Sequence, residues 1–121
     1  MPSSSETEIG TTSVRLAVAG CQFENHDGSS RQEELRRCRA GEAVALTAEP
    51  DNPKHVGAIA VYSCRDIQIG YLRRRDAEWL TDQLMEGTGL SASIVSIAPR
   101  ARPFDPLVVM IRIECSALQV R

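Results

Sequence analysis

Ala58-Ile59-Ala60-Val61-Tyr62-Ser63-Cys64-Arg65-Asp66-Ile67-Gln68-Ile69-Gly70-Tyr71-Leu72 is the stretch that decides the fold. Two short runs rich in Ile, Val and Tyr flank the polar turn Cys64-Arg65-Asp66, which is the pattern of an antiparallel hairpin. From Arg74 to Met85 the period changes: Ala77, Leu80 and Leu84 recur at helical spacing, Trp79 and Met85 flank them, and Gly87 marks a stop. Glu78, Asp82 and Glu86, four apart, read as a solvated face of that helix.

Upstream, Val14, Leu16 and Val18 alternate with Arg15, Ala17 and Ala19 and predict a strand running into Gly20. Ser30 followed by Glu33 is a capping box for a short helix through Cys38, with Leu35 and Cys38 inward, Arg36, Arg37 and Arg39 outward, and Ala40-Gly41 as its stop. Val44 and Leu46 open a second strand that ends at Glu49-Pro50-Asp51-Asn52-Pro53, because proline lacks a ladder donor and restricts the residue before it. Asp51 and Asn52 supply the side-chain bonds of that turn. Downstream, Leu90 to Ala98 and Leu107 to Cys115 are strands joined by the loop 99–106, and the last one points Val109, Ile111 and Ile113 inward. The expected architecture is therefore mainly β, a small six-stranded barrel with two short helices and no internal repeat.

A chain of 121 residues with 26 Val, Ile and Leu can bury roughly two-thirds of its unfolded surface in one core, which leaves no room for a helicase motor. Residues 1–13 carry Ser, Thr and Glu without a basic start or an apolar centre, so a disordered tail is expected there rather than a signal peptide. Residues 117–121 are expected as a second short tail, and 14–116 as the domain. No apolar run approaches the length of a membrane span. The expected compartment is the cytoplasm, with no membrane partner.

The net charge of −2 conceals an uneven distribution. Residues 31–75 carry nine basic side chains against six acidic, whereas the first thirty carry one Arg against four acids. A basic face on a formally acidic protein is one reading of this asymmetry, and codon bias behind thirteen Arg and one Lys is the other.

Catalytic signals are missing. G-x-S-x-G, H-E-x-x-H and the phosphate-binding G-x-x-x-x-G-K-[ST] do not occur, and His26 and His55 each sit in a predicted loop. Glu49 and Asp51 flank a proline without a third carboxylate, too few for two-metal chemistry. Cys21, Cys38, Cys64 and Cys115, separated by 17, 26 and 51 positions, match no zinc pattern and read as buried small hydrophobes in a reducing compartment. No cofactor, no metal and no enzymatic activity are expected. A Cys/His zinc site is the third-ranked possibility, which metal analysis of the purified protein would decide.

Three segments taken in order carry a resemblance. Val18-Ala19-Gly20-Cys21-Gln22-Phe23, then Glu49-Pro50-Asp51-Asn52-Pro53 leading to Ala58-Ile59-Ala60-Val61, then Ile69-Gly70-Tyr71-Leu72-Arg73-Arg74 resemble the HIRAN domain, whose pattern runs V-x-G, E-P-x-N-P-x-D-x-N-A-[IV]-x-V and [IV]-G-[YHF]-[LV]-x-[RK]. The resemblance spans about residues 14–116, and the order and spacing of the segments carry it more than any one of them. It implies a modified oligonucleotide-binding barrel, found alone in bacteria or fused to helicases that remodel stalled replication forks, that captures single-stranded DNA at a free 3′-hydroxyl end. It further implies that aromatic rings stack terminal bases, an Asp in the turn contacts the end hydroxyl, and basic residues hold phosphate. Carried over residue by residue, Phe23 and Tyr71 are the stacking rings, Asn52 is the turn residue, and Arg74 is a phosphate contact; Arg73 and Lys54 add to the basic groove beside it.

Two departures stand out. Where the family's turn has an aromatic or His, then Asp, this chain has Lys54, His55, Val56 and Gly57, so the end-reading carboxylate is replaced by groups that donate. Glu24 occupies the second aromatic position after the first strand. The expected function is thus a non-catalytic nucleic-acid-binding module for single-stranded DNA or DNA 3′ ends in repair or fork processing, with Phe23, Asn52, Lys54, His55, Tyr71, Arg73 and Arg74 at the site. Any helicase or nuclease would be a separate partner protein. Each assignment has a plainer counterpart: a strand aromatic is more often core, Arg73-Arg74-Arg75 can be a solvated helix entrance, and Asn52 serves its turn first. The runner-up is a protein-interaction module offering a strand edge or the 99–106 loop, with Phe104 as its discriminating residue.

Overall fold

The structure, a computed structural model, describes residues 9–85 and 89–118. Its elements are β1 (Ile9–Ala17), α1 (Arg31–Arg37), β2 (Ala45–Glu49), β3 (Ala58–Tyr62), β4 (Gln68–Tyr71), α2 (Arg74–Met85), β5 (Gly89–Pro99) and β6 (Leu107–Leu118). They form two antiparallel three-stranded sheets, ordered β1-β6-β5 and β2-β3-β4.

The hairpin that decided the fold is present as β3 and β4. Ala60 pairs with Tyr71 and Val61 with Gly70, with a register shift at Val61/Tyr62. Asp66 takes φ 65° in the connecting turn, a left-handed conformation that Asp tolerates better than most residues. β3 is the middle strand of its sheet, so Ala58, Ile59, Ala60 and Val61 are all buried. β6 is the middle strand of the other sheet, and Val109, Ile111 and Ile113 point into the core as their alternation predicts. Leu35 from α1, Ala77 and Leu80 from α2, and Ile59, Val61 and Ile69 complete one apolar cluster. Each fully buried Leu or Ile contributes about 1.5–3 kcal/mol.

Several boundaries differ from expectation. The predicted tail ends and the predicted strand begins at residue 14, but β1 starts at Ile9, because β6 extends to Leu118 and pairs with it from Ile9↔Leu118 to Ala17↔Met110. The sheet therefore reaches into both segments read as tails. Ser30 caps α1 by accepting the Glu33 N–H at 3.1 Å, as the capping box requires, but the helix closes earlier than Ala40-Gly41. Cys38 turns extended (ψ 152°) while its N–H closes on Glu34 and Leu35, which buries its side chain. The predicted stop at Gly87 lies outside the described residues.

The six strands and two helices are as expected, but among the described residues the strands do not close into a barrel: the two sheets are joined at two narrow bridges. On one side Ala43 pairs with Ser93, supported by bonds from Gly41, Val44 and Ile94. On the other, Ala19 exchanges both backbone bonds with Tyr71, N to O at 2.8 Å and 2.9 Å. Pairing stops there because Gly20, at φ +77°, turns the chain out of the strand path. A single pair thus links the two sheets beside Tyr71.

Candidate nucleic-acid interface

Gly70 exists for the sake of that junction. A Cβ at this position would lie 2.5 Å from the Ala19 carbonyl oxygen and 2.6 Å from Val18 Cγ1, so only glycine lets β4 approach the end of the first strand. Tyr71 follows directly and is half-buried. Its hydroxyl donates to Glu49 Oε1 at 2.9 Å, and Asn52 Nδ2 donates to the same oxygen at 3.0 Å. Asn52 Oδ1 in turn accepts the backbone N–H groups of Lys54 (2.9 Å) and His55 (3.1 Å). Asn52 is therefore the turn residue that its type predicts, and it anchors the Lys54-His55 loop to the Tyr71 ring through one carboxylate.

Phe23 lies four residues beyond Ala19, the backbone partner of Tyr71. Its N–H bonds the Gly20 carbonyl at 3.2 Å, and its ring is 60% exposed, an unusual position for one of two phenylalanines in the chain. Arg31, which the sequence reading did not single out, reaches both Tyr71 and the Gly20 carbonyl that Phe23 also uses. Its guanidinium stands 5.6 Å from the Tyr71 ring centroid, donates from Nε to Asn25 Oδ1 (2.6 Å) and from Nη1 to the Gly20 carbonyl (2.7 Å), and is 7% exposed. Asn25 is held by its own Nδ2 bonds to Ser29 Oγ and the Gln68 carbonyl, both 3.0 Å. One signal in the sequence pointed to Arg31: it directly follows the Ser30 cap, where positive charge opposes the helix dipole.

The structure thus links Tyr71, Asn52 and the backbone of Lys54 and His55 through Glu49, places Arg31 over the Tyr71 ring, and joins Phe23 to them through the Gly20 carbonyl, which accepts from both the Phe23 N–H and Arg31 Nη1. Arg73 and Arg74 are exposed at the start of α2, two and three positions beyond Tyr71, and no side-chain bond joins them to the set among the described residues. Tyr62, on the neighbouring strand, is half-buried; burial first, then Glu49 and Tyr71, push its hydroxyl above the usual value. After Arg31, it is the second residue beside the site that the sequence reading did not single out.

The basic excess of the middle segment is partly neutralised. Arg65 donates from Nε to buried Glu34 (2.6 Å) and from Nη2 to Glu42 (3.2 Å), and Arg37 lies 3.8 Å from Glu34. Arg31, Arg36, Arg39, Lys54, Arg73, Arg74 and Arg75 have no carboxylate within ion-pair distance among the described residues. Cys21, Cys38 and Cys115 are buried as expected, whereas Cys64 is exposed in the β3–β4 turn. Among the described residues no three His, Cys, Asp or Glu side chains converge as metal ligands, and no helix is long and apolar enough to cross a membrane.

Phe104 is 98% exposed in the loop 99–106, beside a shallow depression of about 640 Å³ lined by Gln32, Arg36 and Pro103 to Leu107. Gln32 fixes that loop by pairing with the Leu107 backbone, accepting its N–H at 2.8 Å and donating to its carbonyl at 2.9 Å. The interaction reading required Phe104 exposed with Phe23 and Tyr71 buried; only its first half is met.

Among solved structures, a protein from Lactobacillus plantarum is similar at 16% identity, over 89% of this chain and 97% of that one, with a TM-score of 0.67. The HIRAN domain of human HLTF is similar at 18% identity, over 91% and 82%, with a TM-score of 0.66. Both likenesses concern the fold. Comparison with curated proteins gives no match. The family model described as HIRAN domain matches residues 11–116, so with the strand, turn and glycine-tyrosine segments in their family order this chain belongs to the HIRAN family.

Proposed function

We propose that the protein is a non-catalytic module that binds single-stranded DNA or DNA ends, in DNA repair or replication-fork processing. Membership of the HIRAN family supports nucleic-acid binding at the coarser level. The observation that carries the reading is the exposed Phe23 ring and the half-buried Tyr71 ring around one guanidinium that has no carboxylate partner among the described residues. Rings offer sequence-tolerant stacking faces worth about 1–3 kcal/mol per base, and guanidinium groups pair with phosphate. The Lys54-His55 loop offers donors where an end-reading carboxylate would accept, so a free 3′-hydroxyl is not selected over a 3′-phosphate. A helicase or nuclease partner would supply any activity, in the cytoplasm.

The test is binding of labelled single strands carrying a 3′-hydroxyl or a 3′-phosphate, and of RNA, over a salt series. Micromolar or tighter binding to DNA that weakens with salt supports the reading, and no binding at low salt to any of the three overturns it. The fully exposed Phe104 favours a second reading, a protein-docking loop. If Phe104→Ala leaves DNA affinity unchanged but abolishes capture of a specific partner, that reading gains.

A further inference from the structure

Arg31 is a nearly buried cation without a counter-ion among the described residues. At 7% exposure it has lost most of its hydration, and its protein acceptors are both neutral: the Asn25 amide oxygen and the Gly20 carbonyl. A guanidinium in this position is ordinarily paired with a carboxylate, because neutral acceptors recover only part of the desolvation cost. The acids around it are otherwise engaged or distant. Asp27 accepts both the N–H and the hydroxyl of Ser29, Glu49 holds Tyr71 and Asn52, and no carboxylate oxygen comes within 4 Å of Arg31 among the described residues. Nε and Nη1 are bonded, while Nη2 has no protein partner among the described residues and is not among the fully enclosed orphan atoms. One edge of the fork is therefore free to accept a ligand.

The surroundings name the ligand's chemistry. A Cβ on Gly20 would lie 3.2 Å from Arg31 Nη1 and 3.7 Å from Phe23 Cδ2, so the guanidinium and the exposed ring both flank this glycine, whose missing side chain leaves the space beside them open. The guanidinium also lies over the Tyr71 ring, 5.6 Å from its centroid. A ligand fitting there alternates flat apolar parts with single negative charges, which describes consecutive nucleotides. Resting on the nucleic-acid reading above, we propose that Arg31 is the anchor for one particular phosphate of the bound strand, the one between the bases at Phe23 and Tyr71. It is pre-oriented by Asn25 and Gly20, unlike the solvated Arg73 and Arg74, which add charge without selecting a phosphate.

The experiment is a scan of a short oligothymidylate in which each phosphate in turn is replaced by a neutral methylphosphonate, bound to the wild type, Arg31→Lys and Arg31→Gln. In the wild type one linkage stands out, costing about tenfold, as expected for a charge-assisted bond. In Arg31→Gln that linkage costs nothing further, while overall affinity is already about tenfold lower. Arg31→Lys keeps the salt slope but loses at least part of the preference for that linkage, because an ammonium lacks the fork. Equal losses at every linkage, or a special linkage that persists in Arg31→Gln, overturn the assignment while leaving the DNA reading intact. Should the variants unfold, the wild type decides through the Arg31 Nε resonance, which shifts on adding the oligonucleotide if the assignment holds and stays fixed if it fails. Should the wild type bind no DNA, inorganic phosphate alone is titrated: a shift of that resonance keeps the anion site and discards the strand, and no shift discards both.

Discussion

The Tyr71 hydroxyl and Glu49 share a 2.9 Å hydrogen bond that ties the end of β2 to β4 across the intervening strand. Glu49 also receives Asn52, so one carboxylate sets both the tilt of a candidate stacking ring and the seat of the Lys54-His55 loop. The two functions of Tyr71, as a ring and as a donor, are separable by mutation. Tyr71→Phe is expected to lower stability by about 0.5–1.5 kcal/mol, the net worth of one hydrogen bond, and to leave DNA affinity within about threefold of wild type. Tyr71→Ala is expected to weaken binding by about 1–3 kcal/mol. Denaturant midpoints and fluorescence anisotropy distinguish the two, and equal affinity losses in both variants would show that the hydroxyl, not the ring face, meets the ligand.

Gly70→Ala tests the junction between the sheets. The added methyl meets a backbone oxygen at 2.5 Å and a Val18 methyl at 2.6 Å, and neither is the far end of a flexible side chain. Overpacking of this kind costs about 1–3 kcal/mol. Because the displaced element is the Ala19 segment that leads to Gly20 and Phe23, ligand affinity should fall along with the thermal midpoint. A variant as stable as wild type would show that the Ala19–Tyr71 pair is more pliant than its bond lengths suggest.

Much of this was legible in the sequence because the signals were local. The hairpin, Ser30 as a cap, Asn52 in its turn and the inward face of β6 each follow from residue type and spacing within a few positions. What escaped reading was long-range. Arg31 reaches Gly20 and Tyr71 across 11 and 40 positions, and Glu49 meets Tyr71 across 22, so their roles depend on how the sheets close and not on their neighbours. The start of β1 was misplaced for the same reason: Ile9 to Ser13 look like a polar tail until Glu114 to Leu118 supply their partners. Among the described residues no closed barrel forms because the two sheets meet only at isolated pairs: Gly20 turns the chain away once Ala19 has paired with Tyr71, and Ala43 pairs with Ser93 on the other side.

The Glu34-Arg65-Glu42 cluster gives the fold an acid limb. Glu42 is held below its ordinary value of 4.5, chiefly by the Arg65 side-chain bond and then by the Arg39 N–H. A carboxylate depressed in the folded state stabilises above its unfolded value, and that contribution is lost as pH falls through the folded one. Glu42→Gln should therefore be less stable than wild type near neutral pH, and the gap should close as the pH falls through the lowered folded-state value of Glu42. A gap that stays constant from neutral to acid pH would place the effect in packing and not in charge.

Glu34 is the stronger member of that cluster, since it is 1% exposed and receives Ser63 and Arg65, both at 2.6 Å. Removing the carboxylate strands two donors at the base of the β3–β4 turn, and hydrogen bonds to a buried charge are worth about 1.5–3 kcal/mol. Glu34→Ala should cost at least this much.

The four thiols should divide by reactivity. Burial pushes Cys21, Cys38 and Cys115 above the ordinary thiol value, so their thiolate fraction is small and reagent access requires opening of the core. Cys64 is exposed in the turn next to Arg65. Titration of the native protein with a chromogenic disulfide should show one thiol reacting fast and three only as denaturant is added. Cys64→Ser should remove the fast phase without moving the denaturant midpoint by more than about 0.5 kcal/mol, the usual range for an exposed position. A fast phase that survives this substitution would mean that one of the buried thiols opens in the native state. Cys21 would then be the first to examine, since it lies between Gly20 and Phe23, and such opening would make that segment the mobile part of the ligand site.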